Sequence, residues 1–269
     1  MAKRDYNWEG KDERAATAKL HTAEMKIKYP KEISESFKKT KIYDINFSLP
    51  ASTGMPLEVI VEDLDSVSAI FNYWKENEKI AVLNFSSYKN PGGGFLLGRR
   101  AQEECLCHES NLYNILLQLE GSFYSWNNLH KNKALYLNRG LYTPNVIFER
   151  NEQFVGEIVL PCDVITCASP NKTTAQKWQN VSNEENSKYL RERIKFVLDI
   201  AKDNKVDTLI LGAYGCGVFG QNPIEVAQIF KEYLTTTHKC FKKVIFAIPS
   251  GNNNLPAFMN TFSKGANNE

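Results

Sequence analysis

The residues best suited to chemistry are a glycine triplet and a pair of adjacent acids that lie close together in the sequence. Gly92-Gly93-Gly94 follows the apolar run 80–83, and Gln102-Glu103-Glu104 comes after a spacer of seven residues. Consecutive glycines lose much conformational entropy on folding, so a chain keeps them where the backbone needs positive φ or must contact a ligand. A strand, a glycine loop and a helix start, in this order, present backbone N–H groups to anions. We therefore interpret residues 83–104 as an active site.

A second glycine-rich segment lies towards the C-terminus. Gly215-Cys216-Gly217-Val218-Phe219 comes shortly after the apolar run 206–211, and Asn222-Pro223 then provides a helix N-cap and a first helical residue. Neither glycine segment ends in the Gly-Lys-Ser/Thr of a triphosphate-binding loop, and a Gly-x-Ser-x-Gly nucleophile motif is absent. Two glycine loops at strand ends instead suit a diphosphate that backbone donors hold.

The first motif resembles the signature of the bacterial-type poly(ADP-ribose) glycohydrolases, which is a glycine triplet, a spacer of six to eight residues and Gln-Glu-Glu. The resemblance runs from the N-terminal helical region to the last predicted strand and includes residues 212–219. It implies a macrodomain fold, an α/β class built as a three-layer α/β/α sandwich with a central mixed sheet. It also implies that Gly215 to Phe219 wrap a diphosphate and that Phe219 packs on the terminal ribose. Ordinary core packing is the alternative for Phe219.

The paired glutamates fit hydrolysis of the ribose–ribose O-glycosidic bond that the resemblance implies, because the departing oxygen needs a proton. Neighbouring helical residues diverge by about 100°, so Glu103 and Glu104 cannot face each other across the bond. One should protonate the leaving oxygen and then activate water, while the other holds ribose hydroxyls. The residues alone leave open which does which. The resemblance assigns the acid–base role to Glu104 and ribose binding or support to Glu103 and Gln102.

Several further residues have two interpretations each. Acids in a first helical turn also favour the helix dipole, whatever their chemistry. Asn90 either fixes a ribose hydroxyl or is a turn residue. Arg99 and Arg100 depart from the small-residue spacer of the family, and they either reach substrate phosphates or face solvent. Gly92, Gly93 and Gly94 let the backbone approach the substrate closely.

Two rival functions use the same pocket. A non-catalytic ADP-ribose reader would keep both glycine loops but has no use for paired glutamates. A hydrolase of mono-ADP-ribosylated protein or nucleic acid would share the chemistry and differ in its leaving group. Our prediction is a poly(ADP-ribose) glycohydrolase whose partners are the polymer or ADP-ribosylated proteins, with exo and endo cleavage both open.

Composition restricts the class of protein. With 269 residues, 42% of them apolar, the chain can bury a sizeable core. The 33 basic and 31 acidic residues nearly balance, so we predict no obligate nucleic-acid partner. No apolar run approaches the roughly 18 residues of a membrane helix, and the charged opening after Met1 does not continue as a signal peptide. We expect an intracellular, cytoplasmic monomer without a membrane partner, and a nuclear location stays open.

The cysteines do not indicate a disulfide framework or a metal centre. Six cysteines in a chain of this length are expected to be reduced. Cys105, Cys107 and His108 would lie within one helical turn, and no second group of ligands has a suitable spacing, so packing explains them better than zinc does. We predict neither a metal nor a cofactor.

The hydrophobic pattern predicts alternating helices and strands. Strands are expected at 41–43, 57–62, 80–83, 141–144, 146–148, 158–160, 164–166, 206–211 and 244–248. Helices are expected at 11–26, at 33–37, from a cap at Asp63 or Asp65 to Trp74, over four turns from the acids to Gly121, at 189–201 and at 226–234. Helix fragments are expected in 121–139, and the polar segment 171–187 is expected to be a loop, either mobile or a substrate lid. The predicted domains are a helical appendage (1–50), a catalytic domain (51–262) and a frayed tail (263–269).

Overall fold

The computed structural model describes residues 10–152 and 156–263, which form a mixed seven-stranded sheet with helices on both faces. The strand order is β1-β4-β5-β3-β6-β7-β2, and β2, β3, β5, β6 and β7 run parallel, while β4 is antiparallel to β1 and β5. The strands are β1 (Lys41–Tyr43), β2 (Glu58–Glu62), β3 (Ile80–Phe85), β4 (Gly140–Glu152), β5 (Gly156–Cys167), β6 (Thr208–Leu211) and β7 (Lys243–Ala247). The predicted three-layer α/β/α sandwich is confirmed.

Ten α-helices cover this sheet within the described ranges. They are α1 (Lys11–Lys28), α2 (Pro30–Lys39), α3 (Ser66–Tyr73), α4 (Gln102–His108), α5 (Leu112–Leu117), α6 (Ser125–Leu129), α7 (Lys172–Gln179), α8 (Asn183–Asp203), α9 (Pro223–Thr235) and α10 (Asn254–Ser263). Capping follows the sequence where it was predicted, because Asp65 accepts a hydrogen bond from the Ser68 N–H at α3 and Asn222 caps α9. None of the helices described is long and apolar enough to span a bilayer.

The core consists of two apolar layers, one on each face of the sheet. Strand β3 contributes to both, because Ala81 and Leu83 pack with α8 and α9 while Ile80 and Val82 pack with α3 and α5. All four side chains are buried. A central strand buried on both faces is rigid, so it is a suitable base for the loop that follows it.

The N-terminal segment joins this architecture in two ways. Ala18 of α1 and Ile33 of α2 are buried in the layer that also holds α5. Strand β1 pairs with β4 at one edge of the sheet. The predicted boundary at residue 50 stays a prediction, and most of the predicted tail lies outside the described residues.

The predicted four-turn helix from the acids to Gly121 is wrong. Helix α4 ends at His108, α5 begins at Leu112, and a π-helical turn follows at Glu120–Tyr124. The break arises because β4 lies against the intervening residues, where Asn111 donates its N–H to the Ile147 carbonyl at 3.1 Å and the Glu109 carbonyl accepts from Glu149 at 2.9 Å. The spacing of the leucines is the same in a continuous and in a broken helix, so the sequence pattern could not reveal the break.

The predicted loop at 171–187 is also wrong, because α7 and the start of α8 occupy it. Asn171 accepts from the Thr174 N–H and Ser182 from the Glu185 N–H, so each helix has a side-chain cap. The four short strands predicted between 141 and 166 are instead two long ones, β4 and β5, with an irregularity between Thr143 and Val146. Helix α10 was not predicted.

Candidate active site

Gln102 fixes the start of α4 to the end of β3. Its side-chain oxygen accepts from the Phe85 N–H at 2.8 Å, and its amide nitrogen donates to the Leu83 carbonyl at 2.8 Å. The amide nitrogen also donates to the Ser66 hydroxyl at 3.1 Å. Because these bonds engage both ends of the amide, Gln102 supports the position of the two glutamates that follow it.

Glu103 is buried, and both of its carboxyl oxygens have protein partners. The Ser87 N–H donates to Oε2 at 2.7 Å, and Asn84 Nδ2 lies 3.3 Å from Oε1. Burial raises the pKa of Glu103 from its ordinary 4.5 to about 8, the charge of Glu104 adds to the rise, and the Ser87 hydrogen bond opposes it. At neutral pH this site therefore retains a proton.

Asn84 provides the second contact to Glu103. The Asn84 side chain is fully buried, and its Oδ1 has no hydrogen-bond partner among the described residues. Its Nδ2 donates to Glu103 Oε1 and to the Thr166 hydroxyl, each at 3.3 Å. The bond to Glu103 favours the charged carboxylate and lowers the pKa of Glu103, so it partly offsets the effect of burial.

Glu104 has one oxygen fixed and one available. The Gly94 N–H donates to Oε1 at 2.8 Å, while Oε2 accepts no hydrogen bond from any residue in the described ranges. The side chain is 5% exposed. A carboxyl group that is oriented by one bond and retains a second oxygen can exchange a proton with a ligand.

Gly93 lies directly against both carboxyl groups. Its φ is +61°, and a Cβ atom there would be 2.7 Å from Glu103 Oε2 and 2.7 Å from Glu104 Oε1. Gly92 has a φ of +63° and packs on Tyr113, so its role is structural. A Cβ on Gly94 would meet the side chain of Arg99, with Cγ 2.6 Å away. The triplet thus brings the backbone against the acids where no side chain fits.

Helix α1 holds the far end of this loop. Gly98 has a φ of +67°, and a Cβ at that position would collide with the Lys11 carbonyl oxygen. Arg14 Nε donates to the Gly98 carbonyl at 2.9 Å. The His21 ring meets Phe95 edge to face at 6.4 Å. The first glycine loop, residues 86–101, is therefore anchored by β3 and α4 on one side and by α1 on the other.

The second glycine loop follows β6 and offers unpaired backbone donors. The N–H groups of Gly215, Gly217, Val218 and Phe219 donate no hydrogen bond to any described residue. Gly215 has a φ of +76° and lies close to the Ser169 hydroxyl. Successive free N–H groups in a loop of this kind form a concave anion site.

One pocket of about 1260 Å³ extends between the two loops. Of the residues predicted to form the site, it is lined by Asn90, Gly93, Gly94, Gln102, Glu103, Glu104, Gly215, Gly217, Val218 and Phe219. Gly92 and Cys216 do not line it. Asn90 is exposed, and its carbonyl accepts from the Gly93 N–H at 3.1 Å, so it also shapes the turn before the triplet.

An aromatic group closes the side of the pocket near Phe219. Tyr88 and Tyr136 are buried and stack with ring centroids 4.1 Å apart, and Phe219 lies 6.2 Å from Tyr136. Phe219 is partly buried against this group and also lines the pocket. Phe219 therefore packs on the aromatic group, as the core interpretation predicts, and also borders the pocket, as the ribose interpretation predicts.

Sequence reasoning missed residues that only the fold brings to the site. Asn84 is a polar residue in an otherwise apolar strand, and this could have been noticed in the sequence. The role of Ser87 depends on its backbone N–H, which every residue except proline has, so the sequence does not mark it. Tyr88 and Tyr136 lie far apart in the sequence and meet only in the folded chain. The end of the pocket beyond β7 was also missed, and it is lined by Ile248, Pro249, Ser250, Asn252 and Asn254.

Cysteine and histidine side chains do not suggest a metal centre. All six cysteines are free. Burial raises the pKa of the Cys105 thiol to about 12, which disfavours the thiolate that a metal would require. Over residues 10–152 and 156–263, no three His, Cys, Asp or Glu side chains are grouped to hold a metal ion.

The chain is similar to known glycohydrolases in sequence and in structure. A family model described as microbial-type PARG, catalytic domain, matches residues 14–151. The structure is similar to poly(ADP-ribose) glycohydrolase (PARG) from Thermomonospora curvata, with 26% identity, a TM-score of 0.78 and coverage of 94% of this chain and 99% of that one. It is also similar to the enzyme from Deinococcus radiodurans in complex with ADP-ribose, with 27% identity, a TM-score of 0.75 and coverage of 86% of this chain and 97% of that one. The Thermomonospora curvata enzyme bound to the inhibitor ADP-HPD has 25% identity and a TM-score of 0.77, with coverage of 94% of this chain and 99% of that one. No curated protein matches the chain.

Proposed function

The chain belongs to the microbial-type poly(ADP-ribose) glycohydrolase family, whose model matches just over half of it, and we propose that it hydrolyses poly(ADP-ribose) to release ADP-ribose. The observation that carries this proposal is the contact of Gly93 with both glutamate carboxyl groups inside the pocket. The enzyme acts on the ribose–ribose O-glycosidic bond, and Glu103 and Glu104 are the groups placed to act on it.

The diphosphate of the terminal unit binds the loop after β6. Four backbone N–H groups there, from Gly215, Gly217, Val218 and Phe219, have no partner among the described residues and point to an anionic ligand. Phe219 packs beside the ribose that precedes the scissile bond. Gly93 and Gly94 admit that ribose to the carboxyl groups, and Asn90 at the pocket edge binds one of its hydroxyls.

Glu104 acts as the general acid and then as the general base. In the first step its carboxyl proton passes to the bridging oxygen, the C–O bond breaks, and the ribose carbon becomes an oxocarbenium-like centre. In the second step the Glu104 carboxylate takes a proton from water while the water oxygen bonds to that carbon. The products are ADP-ribose and a polymer shortened at the bond cleaved, and Glu104 is protonated again.

Glu103 supports Glu104 in this reaction. The two carboxyl groups lie against the same face of Gly93, and the proton that burial keeps on Glu103 at neutral pH passes to Glu104 when the substrate is bound. With the proton on Glu104, Glu103 is the carboxylate that faces the developing positive charge. The Ser87 N–H keeps it in place.

The rival of a non-catalytic reader is disfavoured by the cost of these acids. A shift from 4.5 to about 8 in the pKa of Glu103 corresponds to roughly 5 kcal/mol against the charged form, at 1.36 kcal/mol for each pKa unit. Two acids add nothing to the binding of an anionic ligand, so a pocket built only for binding would have no reason to contain them. Strongly perturbed acids in a cleft are typical of catalysis.

We expect the activity to be lost at alkaline pH. The reaction needs one proton on the glutamate pair, and deprotonation is governed by the raised pKa of Glu103, about 8. Since the protonated form is the active one, kcat/KM should be level near neutrality and fall about tenfold per pH unit above pH 8. Initial rates on polymer across this range, with circular dichroism to confirm folding, measure it. A rate that stays level to about pH 10 would show that the proton retained on Glu103 is not required.

The substrate class is tested by comparing the rates of release from two substrates. Purified protein should release ADP-ribose from poly(ADP-ribose) at a rate that greatly exceeds release from a protein carrying a single ADP-ribose, with product quantified by chromatography. Glu104→Gln serves as the blank for both substrates. If ADP-ribose is released only from the singly modified protein, the chain is the rival mono-ADP-ribosyl hydrolase.

A monomeric state and a cytoplasmic location stay predictions.

A further inference from the structure

A group of five exposed basic side chains lines the pocket. We call it the basic rim, and it consists of Lys89, Arg99, Arg100, Lys131 and Lys133. The acids that line the same pocket are Asp65, Glu103 and Glu104. Asp65 caps α3, and the two glutamates accept backbone N–H groups. The rim is therefore an excess of positive charge in a chain whose net charge is only +2.

Arg99 is a member of this rim that contacts the glycine triplet. Its methylene groups lie across Gly94, whose N–H holds Glu104 at 2.8 Å. The Arg99 guanidinium forms no ion pair within the part of the chain that the structure describes, whereas Lys133 pairs with Glu185 at 3.2 Å. A fixed stem with an uncommitted guanidinium suits bidentate recognition of a phosphate.

The polymer places a phosphate group near this position. Hydrolysis separates the released ADP-ribose from an adenosine ribose of the next unit, and that ribose carries a diphosphate of its own. The anion therefore lies one ribose away from the oxygen that Glu104 protonates. A pocket of about 1260 Å³ exceeds the roughly 300–1,000 Å³ that drug-sized ligands need, so there is room beyond the terminal unit.

We propose that the basic rim, with Arg99 as its principal residue, is a second phosphate subsite that binds the leaving portion of the polymer. This inference rests on the proposed function, and it defines the preferred substrate as a chain with at least one further diphosphate beyond the bond cleaved. A single ADP-ribose attached to a protein side chain has no phosphate at that position. The rim thus discriminates polymer from mono-modified protein by charge.

Arg99→Met tests the subsite, because methionine keeps an unbranched apolar stem over Gly94 and removes the guanidinium. We expect KM for polymer to rise about three- to tenfold, between the effects of an exposed ion pair and of a charge-assisted hydrogen bond. The slope of log(kcat/KM) against log[salt] should decrease in magnitude by about 0.7, the value for one phosphate contact on a single strand. Arg99→Lys should restore most of that slope.

Two controls isolate the effect. Lys38→Met removes one exposed charge from α2, away from the pocket, and should leave the KM and the salt slope as in the wild type. The dissociation constant for free ADP-ribose, from calorimetry, should stay within about twofold in Arg99→Met, because the proposed partner of Arg99 is the leaving portion and not the terminal unit. Equal losses of affinity for ADP-ribose and polymer would overturn the inference, as would an Arg99→Met that behaves like Lys38→Met.

Polymer binding to the Glu104→Gln protein separates this inference from the proposed function. Fluorescence anisotropy with labelled polymer should show weaker binding for the Arg99→Met, Glu104→Gln double variant than for Glu104→Gln alone. If the wild type releases nothing from polymer but the double variant still binds it more weakly, the proposed function fails and the subsite stands. If binding by the two variants is equal, the subsite is wrong whatever the wild type hydrolyses.

Discussion

Replacing Glu104 with glutamine should reduce the release of ADP-ribose from polymer by at least the ~10²–10⁴-fold that general acid–base catalysis contributes. Glutamine has nearly the same shape, and its side-chain oxygen can still accept the Gly94 N–H that now holds Oε1 at 2.8 Å. It has no proton to give to a leaving oxygen and cannot take one from water. Release measured by chromatography should therefore approach the detection limit, while the affinity for ADP-ribose in calorimetry changes by no more than a few-fold.

Glu103→Gln is the matched control for this result. Its side-chain oxygen can accept the Ser87 N–H, as Glu103 Oε2 does at 2.7 Å. It should fold and keep more activity than Glu104→Gln, because the proposed mechanism delivers the proton from Glu104. The opposite ranking would mean that the buried carboxyl group with the raised pKa is the acid and that Glu104 orients the substrate. If the wild type does not hydrolyse polymer and binds it as tightly as Glu104→Gln does, the non-catalytic ADP-ribose reader is the better account.

The parts of the fold that the sequence predicted well are those with strong local signals. Strand β3 begins with the apolar run 80–83, the glycine triplet needs positive φ or close approach, and the acids start a helix. Because strand, loop and helix start are consecutive, their relative positions follow from the chain itself. The carboxyl pair and the glycine loop could therefore be predicted to lie side by side without the structure.

The errors arose where tertiary contacts decide the local structure. The backbone bonds of β4 to Glu109 and Asn111 break a segment whose leucines would suit one long helix. Helix α7 was missed because it buries little besides Ala175, so no apolar stripe marks it. The two helix caps, Asn171 and Ser182, were the available signal, and they were outweighed by the polar composition around them.

The functional details that sequence could not provide concern how the acids are held. That both Glu103 oxygens have protein donors and that one Glu104 oxygen is free depends on the path of residues 86–94 relative to α4. The same path determines which glycine of the triplet contacts the carboxyl groups. The motif makes the three glycines equivalent, whereas the structure distinguishes Gly93 from Gly92, which packs on Tyr113.

This distinction makes Gly93→Ala the second variant with a large expected effect. The added Cβ would lie 2.7 Å from an oxygen of each glutamate, so both carboxyl groups must move. Those are the oxygens that the Ser87 and Gly94 N–H groups hold. A displacement of about 1 Å at reacting groups can cost 10²-fold in rate, so kcat/KM on polymer should fall by about that factor or more.

Gly156→Ala is the control that separates displacement of the acids from backbone strain. Gly156 has a φ of +84°, similar in kind to the +61° of Gly93, but a Cβ atom added there would meet no atom of the described residues within 4 Å. Both variants should lose about 1–2 kcal/mol of stability from placing alanine in the left-handed region, seen as a fall of a few degrees in Tm. Only Gly93→Ala should lose activity, because only its methyl group meets the carboxyl oxygens. If Gly93→Ala retains near wild-type kcat/KM, the glutamates tolerate displacement and their fixed geometry is not what drives hydrolysis.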